Sequence, residues 1–365
     1  MNRMIVSAVA LSLLGGAAAA AESSVAIYGI VDAGLGYRKI DAPGFSHSKT
    51  RVVSGGASGS RWGLRGTEDL GDGLLAVFNL ESGYSTANGE PQQNARLFGR
   101  QATVGLASRR WGKVDLGRQK NVASRFYGPI DPFGLGFGAA NLGVAFSAAN
   151  TQRLDNSVVY ESPKFGGFSF GAGYSFNASD TSGSAFATAD NVREITAGIK
   201  YSAGPLYLVA TFDQLNGDDS KDDAATPRMY SVGGKYDFEV ATLSLAYART
   251  LDGWFVPTSP EGSAEASARI PGNAFARGFS ANSYFVGFKV PLGGAASIFG
   301  SWQRVDPNSD GLTGGDATMS VYSAGASYFL SKRTDVYGYV SWTQDYAFLD
   351  GVDATALGLG IRHRF

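Results

Sequence analysis

FSFGAGYSFN, residues Phe168–Asn177, decides how the rest of the chain is read. Phe168, Phe170, Ala172, Tyr174 and Phe176 share one face of an extended strand, and Ser169, Gly171, Gly173, Ser175 and Asn177 share the other. Successive strand side chains point to opposite faces, so this ribbon is apolar on one side and small and polar on the other. Alternation alone would also suit a soluble sandwich, whose strands commonly run about five or six residues. The length decides: nine to eleven residues is roughly what a tilted strand needs to cross a bilayer. The same pattern recurs in Ile195/Ala197/Ile199/Tyr201, in Tyr230/Val232/Gly234/Tyr236/Phe238 and in Tyr284/Val286/Phe288/Val290.

Working outward from it, sixteen such segments can be marked: 25–38, 51–66, 74–83, 95–107, 113–120, 151–161, 168–177, 192–202, 205–215, 227–237, 240–251, 281–290, 295–304, 318–330, 334–345 and 354–365. Backbone groups in lipid must all be paired, which an even, closed antiparallel barrel achieves. Connections alternate between short turns such as Asp69–Gly73 and Pro163–Gly167 and long polar ones such as Ile40–Thr50, Ala178–Asn191 and Asp252–Phe279. Short turns belong at the periplasmic rim and long loops outside the cell. The exception in character is Asn121–Asn150, about thirty residues rich in Gly, Ala and Phe with no strand or helix period. A loop of that length is expected only where it is functional, and a hollow fold gives it a place inside. The expected fold is all-β: a transmembrane antiparallel β-barrel of 16 strands, narrowed from within.

Bulk composition agrees. Charged residues are 17% of the chain, below the ~25% usual for soluble domains. A formal charge of −1 offers nothing to nucleic acid, and the absence of Cys removes disulfides, thiolate nucleophiles and cysteine metal sites. Residues 1–21 read as a cleaved signal peptide, with Arg3, an apolar Ile5–Leu14 core and Ala19-Ala20-Ala21 before Glu22. Residues 22–365 are then a single barrel domain, exported, with 30 basic and 32 acidic residues.

Five blocks, SSVAIYGIVDAGLGY (Ser23–Tyr37), SGSRWGLRGTEDLGDGL (Ser58–Leu74), DNSVVY (Asp155–Tyr160), LSKRTDVY (Leu330–Tyr337) and ALGLGIRHRF (Ala356–Phe365), resemble the trimeric general porins of Gram-negative outer membranes, in the branch typical of β-proteobacteria. The resemblance runs the length of the mature chain. It implies a homotrimer in the outer membrane, contact with lipid and lipopolysaccharide, a third extracellular loop folded into the lumen, and a second loop, Tyr84–Asn94, reaching a neighbouring protomer. A C-terminal Phe365 looks like the signal recognised by the outer-membrane assembly machinery.

A pore's chemistry lies in its constriction. Arg61 and Arg65 share the face of strand 2 opposite Trp62, and Arg153 shares parity with Asp155, Ser157 and Glu161. An Arg at mid-membrane depth on the lipid face costs about 2–4 kcal/mol, so these point inward. Arg100 resembles the third member of the family's basic wall. Its strand breaks alternation: if Arg100 faces the lumen, Ala102 and Val104 do too, unless a bulge resets the register. Asp131, in GPIDPFG, resembles the acidic tip of the inward loop; a plain turn-forming Asp before Pro is the other reading. Asp32 is a second lumenal acid, and Arg118, Lys120, Arg125, Arg362 and Arg364 add positive charge near the lumen or the loop.

These residues point to a passive channel for small hydrophilic solutes and ions with a moderate preference for anions. A channel selective for phosphate or small carboxylates is the alternative. No catalytic residue, cofactor or metal site is expected: neither His47 nor His363 has a partner set for catalysis. Asp306–Gly311 opens like a calcium loop but has Ala317 at position twelve. The acidic run at Asp218, Asp219, Asp222 and Asp223 reads as a solvated external loop that could help bind divalent ions bridging lipopolysaccharide. GLGFG (Gly134–Gly138) follows no strand-to-helix transition, as a phosphate cradle would require.

Overall fold

A computed structural model describes residues 23–150, 152–179, 185–217, 225–255 and 274–365. The expected leader lies outside the described residues, as do Asp218, Asp219, Asp222 and Asp223. Strands are β1 (Ser24–Ala42), β2 (Phe45–Ser54), β3 (Arg61–Gly71), β4 (Leu74–Gly83), β5 (Gln101–Ser108) and β6 (Gly112–Lys120). A short helix α1 (Val122–Phe126) precedes β7 (Arg153–Glu161), β8 (Phe168–Ser175), β9 (Arg193–Ala203), β10 (Leu206–Asn216) and β11 (Arg228–Asp237). The chain finishes with β12 (Thr242–Trp254), β13 (Ala274–Leu292), β14 (Ala296–Pro307), β15 (Met319–Phe329), β16 (Thr334–Gln344) and β17 (Asp353–Arg364).

Every strand pairs antiparallel with its neighbours in one sheet, and β1 returns to β17 in register from Ile30↔Arg364 to Asp41↔Asp353. The ring is closed, so no lipid-facing edge is left unpaired. Seventeen segments make sixteen wall strands, because β2 and β3 both lie along the other edge of β1. Its upper half pairs with β2 (Ala33↔Ser54 to Ala42↔Phe45), and its lower half with β3 (Ser24↔Thr67 to Ile30↔Arg61). Residues 55–60 interrupt that one strand. Asp32 organises the interruption, accepting from the backbone N–H groups of Ala57 (3.1 Å) and Ser58 (2.7 Å).

Several boundaries differ from the sequence reading; the expected loop Asp252–Phe279 is shortened at both ends, since β12 runs to Trp254 and β13 begins at Ala274. The expected loop Ile40–Thr50 is a hairpin extension, with β1 running to Ala42 and β2 starting at Phe45 around Gly44 at φ +87°. Above the bilayer both faces meet water, so the apolar alternation that marks a strand in lipid fades. The segment 95–99, read as the start of a strand, is turns; β5 begins at Gln101.

Outward faces carry a continuous apolar band, with Leu35, Val104 and Leu359 each at least 60% exposed to the surroundings. On a water-soluble monomer so large a patch would be anomalous; around a barrel it is the surface that lipid covers. The buried apolar cluster lies on the other side of the sheet. It joins residues of 121–150, including Val122, Phe126, Ile130 and Phe146, to inward wall residues such as Val159, Val209 and Phe285.

Candidate functional site

The segment 121–150 is fastened to the inner wall by side chains that reach its backbone. Asn121 caps α1, accepting from Ser124 N at 3.1 Å, and donates to Asp213 Oδ1 on β10 at 2.9 Å. Val122 N donates to Thr196 Oγ1 (2.9 Å) and Tyr207 Oη to the Phe126 carbonyl (2.7 Å). Further along, Ser283 donates to the Ala145 carbonyl (2.7 Å), Gln303 to that of Asn141 (3.0 Å) and Ser341 to that of Ala139 (3.2 Å). An irregular loop can be buried only if its polar backbone is satisfied, and these small polar residues on inward faces do that. Phe133 and Phe137 add edge-to-face contacts with Phe299 at 5.0 and 5.4 Å, and Phe137 meets Tyr337 at 5.4 Å.

The loop tip stops short of the wall carrying β3–β7. Between them lies a cavity of about 470 Å³, lined on the wall side by Arg61, Arg100, Lys120 and Arg153 and on the loop side by Gly134–Gly138, Asn141 and Asn150. Among the described residues no acidic side chain lines this gap. Glu81 lies among these cations on the inward face of β4: its Oε1 accepts from Arg100 Nε at 2.7 Å and lies 3.9 Å from Arg61 Nη1. Tyr28 Oη donates to Glu81 Oε2 at 3.0 Å. Arg61 Nε donates to the Gly59 carbonyl (2.8 Å) and Arg153 Nε to the Arg100 carbonyl (3.0 Å). Each Arg is thus held by a backbone carbonyl or by the partly buried Glu81, and among the described residues the charged side chains lining the gap are all cationic.

Arg100 resolves its own ambiguity. It precedes β5, so it is free of the alternation that turns Ala102 and Val104 outward. Its side chain reaches Glu81, which lies on the inward face with Asn79.

Three expectations are corrected. Asp131 does not line the gap: it is buried in its own loop, accepting from the N–H groups of Phe133 (3.1 Å), Leu135 (2.8 Å) and Leu142 (3.3 Å). Burial pushes its carboxyl up to about 6, against those three donors, which favour the ionised form. Asp32 is on the inward face but fully buried beneath residues 57–58, so it presents no charge to the lumen. Arg118 opposes Ala102 on the outward face, in line with Leu116 and Val104. Its Nη1 pairs with Asp155 at 2.6 Å, as does Arg96 Nη1 at 2.6 Å.

Arg65 lies four residues nearer the short turns than Arg61, its guanidinium 5.2 Å from the Tyr28 ring centroid. Arg125, on α1, donates to Gln119 Oε1 at 2.6 Å beneath the loop. Glu81 was missed as part of the site, although its alternation with Asn79 would have turned it inward.

A model of the Gram-negative porin family matches residues 7–346. The chain belongs to that family. An outer membrane porin protein of Bordetella pertussis is 51% identical over the whole of both chains. Outer membrane porin protein 32 of Delftia acidovorans is 34% identical, covering 97% of this chain and 92% of its own. Among solved structures, an anion-selective porin from Comamonas acidovorans superposes with a TM-score of 0.73 at 30% identity, covering 94% of this chain and all of that one. This porin is therefore an outer-membrane barrel of a Gram-negative cell, and the gap described above lies in its lumen. Phe365 closes the porin's last strand onto its first, exchanging backbone hydrogen bonds with Gly29 at 3.1 Å in both directions.

Proposed function

We propose that this porin is a passive diffusion channel for small hydrophilic solutes and ions, with a moderate preference for anions. One observation carries the preference: four cationic side chains, Arg61, Arg100, Lys120 and Arg153, line the gap, and among the described residues no acid lines it with them. Arg retains its proton at any physiological pH, so the field in the gap is permanent. An anion entering is attracted, and a cation meets a barrier that bulk water beside the gap only partly screens. The description of the Comamonas structure as an anion-selective porin supports the same reading.

The working unit is proposed to be a homotrimer in lipid and lipopolysaccharide, clamped by the second loop (Tyr84–Asn94). Phe365 is proposed as its signal to the assembly machinery, and residues 1–21 as a cleaved leader. Reversal potentials of the purified protein in a planar bilayer under a potassium chloride gradient test the preference. A potential of the sign set by chloride is expected, and one set by potassium rejects it.

A further inference from the structure

The outward face of β10–β14 changes character at its loop-side border. Antiparallel register sets Tyr230 beside Arg249, Arg249 beside Asn282 and Asn282 beside Asp306. Arg228, one step further toward the loops, is the diagonal neighbour of Arg249, a spacing of about 7–8 Å. Both arginines share the outward parity of Tyr230, Val232, Leu245 and Tyr247, which are exposed. Arg249 is held by neutral partners: its Nη1 donates to Asn282 Oδ1 at 3.0 Å and to Asn308 Oδ1 at 2.5 Å. Tyr247 Oη donates to the same Asn282 oxygen at 2.9 Å. Asp306, next in the row, is taken up by Arg304 at 3.5 Å and Thr318 at 2.8 Å. Among the described residues neither Arg228 nor Arg249 has an acid as partner. Two cations thus stand on the lipid-facing side, where charge is tolerated only near the interface.

Directly below them the same strands hold an apolar groove of about 660 Å³, lined by Leu208, Val232, Leu245, Val286 and Trp302 among others. Gly234 opens it: placed between Leu208 and Leu245 in the register, it contributes no side chain. β12 lies half-way round the ring of sixteen strands from β4. The proposed clamp follows β4, so this face is turned away from it and toward lipid.

We propose that Arg228 and Arg249, with the groove beneath them, bind a phosphate-bearing glycolipid of the outer leaflet. Its phosphate oxygens sit on the two guanidiniums, and one acyl chain lies along Val232, Gly234 and Leu245. A guanidinium meets phosphate with paired N–H donors, and the loop side of the barrel is the outside of the cell. Charge above and apolar surface below fit an amphiphile: free phosphate would leave the groove unused, and an uncharged lipid would leave the arginines unused. The site rests on the reading of the porin as a barrel set in lipopolysaccharide and names where that lipid is held.

The test is glycolipid retention by the whole assembled porin, purified in detergent, stripped of lipid and read by native mass spectrometry. The probes are the bisphosphorylated lipid anchor of lipopolysaccharide and the same lipid with both phosphates removed. The wild type should hold the phosphorylated form about tenfold more tightly. Arg228→Gln/Arg249→Gln brings the phosphorylated form down to the level of the other. Val232→Trp, at an exposed position in the groove, weakens both forms. Conductance and reversal potential stay at wild-type values in every variant, so each measurement is made on an assembled barrel. Equal retention of the two forms by the wild type, a phosphorylated form unmoved in the double variant, or both forms unmoved in Val232→Trp would each overturn the site and leave lipopolysaccharide contact standing. A wild type that retains neither form removes that contact along with the site.

Discussion

The two banks of the gap are built on different principles. The wall bank is side-chain chemistry: Arg61, Arg100, Lys120 and Arg153 project from β3, β6, β7 and the residue before β5, and are fixed by Glu81 and backbone carbonyls. The loop bank is mainly backbone: Gly134–Gly138, with Gly134, Leu135, Phe137 and Gly138 at positive φ, tied down by tethers on its far side. Charge therefore sits on one bank and shape on the other. Selectivity and width should then be separable by mutation, which a lumen with acids and bases facing each other would not allow.

The largest effect should come from reversing the wall. Arg61→Glu with Arg153→Glu replaces two cations by two anions while the loop stays put. A unit charge about 5 Å from a permeating ion in a water-like dielectric contributes roughly 0.8 kcal/mol, about fourfold in relative permeability per unit. The double variant is expected to invert the reversal potential with little change in single-channel conductance. Persisting anion preference would show that the wall does not set it.

Altering the loop bank should do the converse. A Cβ on Gly136 would lie 2.0 Å from the Ala57 carbonyl oxygen, and backbone on both sides leaves no flexible end to give way. Gly136→Ala is expected to push the tip away from residues 55–60 and into the gap, lowering conductance while keeping the sign of the reversal potential. An unchanged conductance would mean that the tip does not narrow the path.

Next comes removal of one tether. Ser283→Ala leaves the buried Ala145 carbonyl without its partner, at a cost of about 1–3 kcal/mol. Noisier open-channel current and a lower unfolding midpoint in denaturant are expected, with selectivity intact.

The asymmetry between the banks also explains what could be read in advance. Lipid on one side and water on the other impose period two on each crossing, so sixteen wall strands and the inward parity of Arg61 could be taken from FSFGAGYSFN and its kin. The same rule places Arg118 on the outward face with Leu116 and Val104, where it pairs with Asp155 instead of charging the lumen. Where periodicity ends, so does the reading. Asp131 lies in a loop whose carboxylate direction depends on which N–H groups curl around it, and nothing in GPIDPFG says whether the acid faces water or its own turn. Glu81 belongs to the site through Arg100, nineteen residues away, a contact that only the closed barrel creates.

The smallest expected effect tests that correction of Asp131. Its carboxyl is raised to about 6 from an ordinary 3.8, so the folded chain takes up this proton at a higher pH than the unfolded chain. Its contribution is therefore fully present below the unfolded value and is lost as the pH rises through about 6. Unfolding midpoints of wild type and Asp131→Asn compared at about pH 7.5 and about pH 5 isolate the group, since all other titrations cancel in the difference. The wild type should gain on acidification relative to the variant, with the anion preference the same in wild type and variant at each pH because Asp131 does not line the gap. A difference independent of pH, or a preference that strengthens in Asp131→Asn, would put this acid back in the lumen opposite the arginines and undo the division between a charged bank and a shaped one.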